Sequence, residues 1–315
     1  MVNDLFTIAP YNNGADKTSN YPEEAYIVIA DNKYMGLINP LIDSLYHFST
    51  RKVIINGINC ELPDKYNKYN NIIFQRLNIA PCLNESDFIF KILHVKALAC
   101  RVAIENGLER GVYLDGDTVA RENVDTLFEH TYLYSGARLK EGRCPLFGRH
   151  VFDFMIFNGE LDREKKLMDL WGVESKTVAL TTSMVFSFNK DCYDFLTEWW
   201  GVCSNDDIFK EWRDYCPLGD ETSANVLLWK HHATECLPIS HLNVDSFDTV
   251  SFFEESDKVN FDIEHRWNHI PNQKETVKFF HGIKNKKVAM EILDHLKRNF
   301  YNRLRITCSR ENNKC

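Results

Sequence analysis

Two carboxylates separated by one glycine, Asp115 and Asp117, are the residues of this chain best suited to chemistry. They follow an apolar run at residues 111–114, which predicts a buried strand that ends in a sharp turn. Ligands of open α/β sheets bind just outside the carboxyl ends of the strands. Two carboxylates there can hold a hard divalent cation that clamps phosphates, and Gly116 lets a ligand approach the backbone. The alternative interpretation is an ordinary Asp-Gly turn.

The segments on both sides of this turn predict alternating strands and helices. Apolar runs rich in β-forming residues predict strands at residues 25–30, 52–56, 71–75, 177–189 and 277–282. Apolar residues at helical spacing predict helices at residues 34–48, 88–106, 161–171, 221–232 and 287–305. Further helical stretches contain aromatic residues that we expect in the core, namely Phe195, Trp199, Trp200 and Trp212. A strand, a helix and a second strand open the chain, which is typical of a nucleotide-binding α/β domain.

Composition and charge exclude several classes of protein. The chain has 315 residues, 44% of them hydrophobic, which suits one large folded domain and not a disordered protein. Its net charge of −8 and sequence pI of about 5.8 give no general basic field, so we expect no nucleic-acid partner. Residues 1–17 lack a signal-peptide pattern, and the longest apolar stretch, 178–188, is too short to span a membrane.

The ten cysteines bear on the cellular compartment of the protein. They form no Cys-x-x-Cys pair, and Cys100 lies in an apolar, periodic stretch. This pattern is typical of reduced, mostly buried thiols and not of a structural zinc site. We therefore predict a soluble, cytoplasmic protein.

Three short segments carry a resemblance to a known family. They are Ile-Ala-Asp-Asn-Lys-Tyr at residues 29–34, Tyr-Leu-Asp-Gly-Asp at 113–117 and Phe-His-Gly-Ile-Lys at 280–284. In this order they resemble nucleotide-sugar glycosyltransferases of the GT-A fold with a DxD motif, most closely the glycogenin and lipopolysaccharide galactosyltransferase (family 8-like) group. The resemblance implies an α/β fold of the GT-A type, a Rossmann-like mixed sheet flanked by helices, with a helical segment at the C-terminus.

The same resemblance implies how the chain is divided. Residues 21–305 would form a single glycosyltransferase domain. This domain would consist of a nucleotide-binding half (21–130) and an acceptor half (131–305). A flexible lead-in (1–20) would precede it and a tail (306–315) would follow it. The loop-like residues 139–155 are a candidate lid or acceptor-side segment.

The resemblance assigns donor-binding roles within these segments. The first strand end would receive the uridine, and the late Gly-x-Lys would bind the diphosphate. The nucleotide-binding residues would be Ala30, Asp31, Tyr34, Gly116, Gly282 and Lys284. Beside the resemblance, Lys96 on the helix at 88–106 would add a second cation for the diphosphate. The metal ligands would be Asp115, Asp117 and His281. The family has a longer spacer between this histidine and its lysine, so Lys284 departs from the family pattern.

On the acceptor side, Asp220 and Glu221 would be the catalytic residues. The family often has an acidic pair or Asp-Gln here, and Glu221 is a departure from it. A carboxylate at this place can orient sugar hydroxyls, stabilise oxocarbenium-like charge or act as a base. Residues 179–183 would run beneath the sugar, without the family's Asn-Ala-Gly. A helix N-cap is the alternative interpretation of Asp220.

These assignments imply a metal-dependent glycosyltransferase. It would move a sugar from a nucleotide-sugar, foremost a UDP-sugar, to a hydroxyl of a glycan, protein or small-molecule acceptor, and the family implies retention of configuration. Departure of the diphosphate builds negative charge, which Mn²⁺ or Mg²⁺ neutralises as a Lewis acid and a lysine stabilises electrostatically. The histidine ligand favours Mn²⁺, because imidazole is softer than carboxylate.

Other functions fit part of the same pattern. Residues 112–119 also resemble the first motif of haloacid-dehalogenase-type phosphatases, in which Asp115 would be the nucleophile and Asp117 the general acid, with Mg²⁺. That motif normally stands near the N-terminus, whereas a strand–helix–strand unit precedes it here. A nucleotidyltransferase would use the same metal, but residues 31–36 lack its Gly-rich, basic loop. A non-enzymatic binding module is the third alternative.

One further pair of residues has the spacing of a metal site. His265 and His269 stand at i and i+4, as in a helical zinc site. No suitable glutamate lies between them. We therefore interpret this pair as an incidental helix or loop face.

Overall fold

A computed structural model provides the fold of the chain. It describes residues 8–9, 21–80, 85–120, 123–125, 127–128, 169, 172, 185–204, 220, 223–224, 227, 249–251, 265–267, 274–276 and 279–281. The strands are β1 (Ile8–Ala9), β2 (Glu24–Asp31), β3 (Lys52–Ile58), β4 (Ile72–Leu77), β5 (Arg110–Leu114), β6 (Val119–Ala120), β7 (Val185–Asn189), β8 (Thr249–Ser251), β9 (His265–Trp267), β10 (Lys274–Thr276) and β11 (Phe279–His281). The helices are α1 (Asn39–Phe48), α2 (Glu85–Glu105) and α3 (Tyr193–Ser204).

The main sheet is mixed and has six strands in the spatial order β1, β4, β3, β2, β5, β7. The four strands from β2 to β5 run parallel, while β1 and β7 pair antiparallel at the two edges. Two residues of the predicted lead-in therefore belong to an edge strand. The sheet and its flanking helices form an α/β fold, as predicted.

The parallel strands form where the sequence has its continuous apolar runs. The strands predicted at 25–30, 52–56, 71–75 and 111–114 are confirmed within two residues at each end. Almost every residue of β2 and β3 is buried. A parallel strand covered on both faces needs apolar residues throughout, and this need explains the runs.

The helix predicted at 34–48 is wrong in its first turn. A 3₁₀ turn occupies Tyr34–Gly36, and α1 begins only at Asn39. Pro40 lies in the first turn of α1 because proline lacks an N–H and would clash with the preceding turn inside a helix. Tyr34 instead belongs to the turn after β2, where its backbone N–H donates to Asp31 Oδ1 at 2.8 Å.

The strand order creates a switch point between β2 and β5. The chain builds outward from β2 through β3 and β4, then returns to place β5 on the other side of β2. In open α/β sheets such a reversal opens a crevice at the carboxyl ends of the two strands. Gly116 lies in this crevice, since a Cβ built on it would be 3.4 Å from the Ile29 carbonyl oxygen and 2.7 Å from Ile38 Cγ2. The close approach of the Ile38 side chain explains the glycine.

A second sheet continues from the Asp-Gly-Asp turn, with β11 between β6 and β8. The strand predicted at 277–282 is described at Phe279–His281, and Phe280 pairs with Val119. Phe279 pairs in the same antiparallel register with Ala120. The late strand therefore returns to the residues that follow Asp117.

The histidine pair at 265 and 269 does not form a helix face where it is described. His265–Trp267 is a strand, and His265 pairs with Thr276 of β10. The i, i+4 rule for a shared face applies to helices only, so that interpretation is wrong. His269 lies outside the described residues.

Several other predictions also lie outside the described residues. They are the helices at 161–171 and 287–305, apart from Asp169, the loop at 139–155, Trp212 and the tail. The predicted core aromatics Phe195, Trp199 and Trp200 are buried in α3, as expected. The described cysteines 60, 100, 192 and 203 are buried thiols outside any disulfide bond. Within the part of the chain that the structure describes, no helix is long and apolar enough to cross a membrane.

Replacing Gly111 with alanine will destabilise the fold. A Cβ at position 111 would lie 2.3 Å from Cζ of Phe188, a ring with no exposed surface. Overpacking of this kind costs about 1–3 kcal/mol. The control is Gly201→Ala in α3, where nothing lies within 4 Å of the added atom and alanine favours the helix by about 1 kcal/mol. Urea unfolding measures the free energy of unfolding of both variants. An equal change in the two would contradict the packing of Phe188 against Gly111.

Candidate functional site

The side chain of Lys96 is the centre of the candidate site. It extends from α2, and only 5% of it is exposed. Its Nζ lies 2.8 Å from Asp220 Oδ2 and 3.3 Å from Asp115 Oδ1. The same ammonium stands 5.2 Å from the ring centroid of Tyr113, within cation–π range. One buried cation thus joins α2, the end of β5 and the segment around residue 220.

Tyr113 is a member of this cluster that sequence reasoning did not single out. Its hydroxyl donates to Asp115 Oδ1 at 2.7 Å. Its ring stacks on that of Phe186 in β7, with the centroids 4.8 Å apart. Residues two apart in a strand point to the same face, so the Tyr-x-Asp spacing was the signal that could have identified it.

The Asp-Gly-Asp segment is a tight turn closed by Thr118. The backbone N–H of Thr118 donates to the Asp115 carbonyl oxygen at 3.2 Å, and its Oγ1 donates to the same oxygen at 2.7 Å. Thr118 is buried, whereas Asp115 and Asp117 are partly exposed. The turn therefore fixes the backbone of both carboxylates and leaves them accessible at the sheet edge.

The protonation of Lys96 and Tyr113 follows from their surroundings. Burial acts to lower the pKa of Lys96, but the attraction of Asp115 and Asp220 outweighs it and raises that pKa above the ordinary lysine value. Burial and the neighbouring Asp115 together raise the pKa of Tyr113 well above its usual range. At neutral pH the site therefore holds a charged ammonium and a neutral phenol, and both donate to Asp115.

Asp220 is held through its backbone as well as its carboxylate. Residues 220, 223, 224 and 227 are helical, as predicted for this segment. The Asp220 carbonyl oxygen accepts from Trp199 Nε1 at 2.9 Å and from Ser223 Oγ at 2.9 Å. Only 8% of its side chain is exposed. Its carboxylate faces Lys96 in the interior, an arrangement that an N-cap role does not require.

The end of β2 supplies the neighbouring wall of the crevice. Ala30 is buried, and Asp31 is the last residue of the strand. Tyr34 follows in the 3₁₀ turn, with 38% of its surface exposed. Since β2 and β5 are adjacent and parallel, these residues share the sheet edge of the Asp-Gly-Asp turn.

The predicted metal ligands come together in part. Among the residues that the structure describes, no three or more histidine, cysteine, aspartate or glutamate side chains form a metal-binding group. Asp115 and Asp117 share one turn, and His281 ends the strand β11, which pairs with the short strand that follows this turn. Glu221, Gly282 and Lys284 lie outside the described residues.

The formal charge of this edge is negative. Asp31, Asp115, Asp117 and Asp220 carry four carboxylates, and Lys96 supplies one ammonium, so these five side chains sum to −3. Such a site repels an anionic ligand unless a cation accompanies it. Carboxylate oxygens are also the ligands that hard divalent cations prefer. The donor chemistry therefore fits Mg²⁺ or Mn²⁺.

No protein-family model matches this chain, and none of the curated proteins matches it. A function for the chain therefore rests on the geometry of the site. That geometry brings together three of the residues singled out from the sequence, Lys96, Asp115 and Asp220. It adds Tyr113, Trp199 and Ser223 around them.

Removing the buried cation will be costly. Lys96→Gln leaves Asp115 and Asp220 without their shared ammonium, and breaking a buried ion pair costs about 3–5 kcal/mol. Because the folded pKa is raised, this stabilisation persists at neutral pH and declines above about pH 10.4, where the unfolded lysine loses its proton first. Chemical unfolding at several pH values measures the effect.

The matched control for this prediction is Lys190→Gln. Lys190 also pairs with a carboxylate, Glu109, at 2.6 Å, but both side chains are about half exposed. Solvent screens such a surface pair, so we expect little change in stability. A loss for Lys96→Gln no larger than that of the control would show that the buried pair does not anchor the site.

Proposed function

We propose that this protein is a metal-dependent glycosyltransferase of the GT-A type that uses a nucleotide-sugar donor. The observation that carries the proposal is the Lys96 ammonium between Asp115 and Asp220, at the carboxyl end of β5. It joins a carboxylate of the Asp-Gly-Asp turn to a carboxylate 105 residues later in the chain, counted from 115 to 220. A site that binds a diphosphate and acts on the attached sugar needs carboxylates at both places.

The nucleotide end of the donor fits the switch point between β2 and β5. Parallel α/β sheets bind nucleotides in this crevice. The nucleoside would lie against the end of β2, where Asp31 orders the turn and Tyr34 offers an exposed aromatic ring. Gly116 keeps the crevice open beside the Ile29 carbonyl. Uridine is the expected nucleoside, following the family resemblance of residues 29–34.

The diphosphate would bind at the Asp-Gly-Asp turn. Asp115 and Asp117 would hold Mn²⁺ or Mg²⁺, with His281 as the third protein ligand. When bound, the cation neutralises charge on the departing diphosphate. Gly282 and Lys284 would follow His281 onto the phosphates. The negative formal charge of the edge supports a requirement for the cation, because the carboxylates alone repel a diphosphate.

The sugar would lie near Asp220. Its carboxylate can orient sugar hydroxyls, stabilise positive charge that develops at the anomeric carbon, or accept a proton from the acceptor hydroxyl. The ion pair with Lys96 holds this carboxylate in place. Glu221 would be the second catalytic candidate. Retention of configuration and a glycan, protein or small-molecule acceptor follow from the family resemblance.

The buried thiols of the described cysteines support a cytoplasmic location for this activity, because a reducing compartment keeps such thiols from forming disulfides.

The test of the proposal is metal-dependent binding of UDP to Asp117→Asn. Asp117 lies on the turn and outside the Lys96 ion pair, so we expect its substitution to reduce the affinity gained with Mn²⁺ by about 10-fold or more, with the fold intact. Calorimetry with and without Mn²⁺ measures this gain. Asp64→Asn, at an exposed carboxylate in a 3₁₀ turn, is the matched control and should bind as the wild type does.

The proposal has a clear contrary result. UDP binding of equal strength with and without the cation, in the wild type and in Asp117→Asn alike, would mean that the turn holds no metal. Binding of inorganic phosphate and not of UDP would instead favour the phosphatase interpretation of Asp115.

A further inference from the structure

A second network of buried polar groups binds the backbone carbonyl of Asp220. It consists of His94 in α2, Trp199 in α3 and Ser223, all without exposed surface. Ser223 Oγ lies 2.9 Å from His94 Nε2 and 2.9 Å from Trp199 Nε1. The same hydroxyl donates to the Asp220 carbonyl oxygen at 2.9 Å. The roles described above account for Asp220 but not for His94 or Ser223.

The donors and acceptors of this network match. A hydroxyl carries one proton and accepts two hydrogen bonds, and an indole N–H can only donate. If Ser223 gives its proton to the Asp220 carbonyl oxygen, Trp199 shares its single N–H between that oxygen and Ser223 Oγ, and His94 donates to Oγ. The network then assigns the proton of His94 to Nε2. Each of these buried groups has a partner, as buried polar groups require.

The network acts on one residue of the site. Lys96 binds the Asp220 carboxylate from one side, while Trp199 and Ser223 bind its backbone carbonyl from the other. His94 and Lys96 belong to the same helix, so α2 reaches Asp220 at both points. A carboxylate fixed at its backbone and at its side chain has little freedom to move.

We propose that His94 and Ser223 are positioning residues that set the place of the Asp220 carboxylate for sugar transfer. This inference rests on the proposed function. The geometry also argues against a nucleophilic serine–histidine pair, because complete burial of both side chains keeps a substrate from Oγ. The Ser223 hydroxyl instead donates to the backbone carbonyl of Asp220, the residue that would act on the sugar.

The consequence is a specific change in kinetics. Asp220 would contact the sugar in the transition state, whereas the nucleotide binds at β2 and at the Asp-Gly-Asp turn. Displacement of a reacting group by about 1 Å can cost about 100-fold in rate. Loss of the network should therefore lower kcat and leave the donor KM nearly unchanged.

The experiment compares four variants of the full-length enzyme, assayed with Mn²⁺ and the UDP-sugar that the wild type turns over. His94→Leu and Ser223→Ala remove the network, and we expect kcat to fall about 10- to 100-fold with donor KM within about threefold. His94→Gln retains an N–H donor and should recover most of kcat. Val102→Ala, a buried position on the same helix, lowers stability without touching Asp220 and should retain kcat.

An indole measurement makes the test independent of turnover. The Trp199 indole N–H resonance, identified by its absence in Trp199→Phe, should exchange faster with solvent in Ser223→Ala than in Val102→Ala. If His94→Leu does not fold, Ser223→Ala carries the test alone, since it removes a single oxygen atom.

The outcomes separate the two proposals. A wild type that turns over no nucleotide-sugar overturns the proposed function and the inference with it. Wild-type turnover with an unchanged kcat in Ser223→Ala overturns the inference alone. A fall in kcat equal to that of Val102→Ala, or with no recovery in His94→Gln, also overturns it, because the network would then be only structural.

Discussion

The Lys96 ammonium is the group on which the arrangement of the site depends. Burying a charge costs several kcal/mol, and partners repay that cost only when their geometry is good. Lys96 meets this condition with Asp220 at 2.8 Å, Asp115 at 3.3 Å and the ring of Tyr113. Apolar side chains that replaced Lys96 and both carboxylates together would often be at least as stable. The ion pairs are therefore better explained by the positions in which they hold the Asp115 and Asp220 carboxylates than by a gain in folding stability.

The sheet explains why that place is suited to a ligand. The order of the parallel strands sets β2 beside β5 and opens a crevice at their carboxyl ends. The Asp-Gly-Asp turn closes on itself through Thr118, and Gly116 leaves room for the Ile38 side chain. The late strand β11 pairs with the residues that follow this turn. Three distant parts of the chain, namely β2, the turn after β5 and β11, thus come together, and glycosyl transfer from a nucleotide-sugar would use all of them.

Local patterns predicted the elements better than the contacts between them. The four parallel strands and α2 follow from apolar runs and helical spacing, and the pattern Tyr-Leu-Asp-Gly-Asp identified the carboxylates. The helix start at 34 was wrong because the steric limits of Pro40 were not applied. The partnership of His94 and Ser223 spans 129 positions and leaves no local signal. Such pairs arise from the packing of α2, α3 and the 220 segment, which a single sequence does not reveal.

The most direct measurement is release of free nucleotide from a panel of UDP- and GDP-sugars, with and without Mn²⁺, by the wild type and by Asp220→Asn. The account predicts that the wild type releases the nucleotide from at least one donor, only when the cation is present. It also predicts that Asp220→Asn retains nucleotide binding and loses release by about 100-fold or more. Absence of release from every donor, together with hydrolysis of a simple phosphate monoester, would contradict the account.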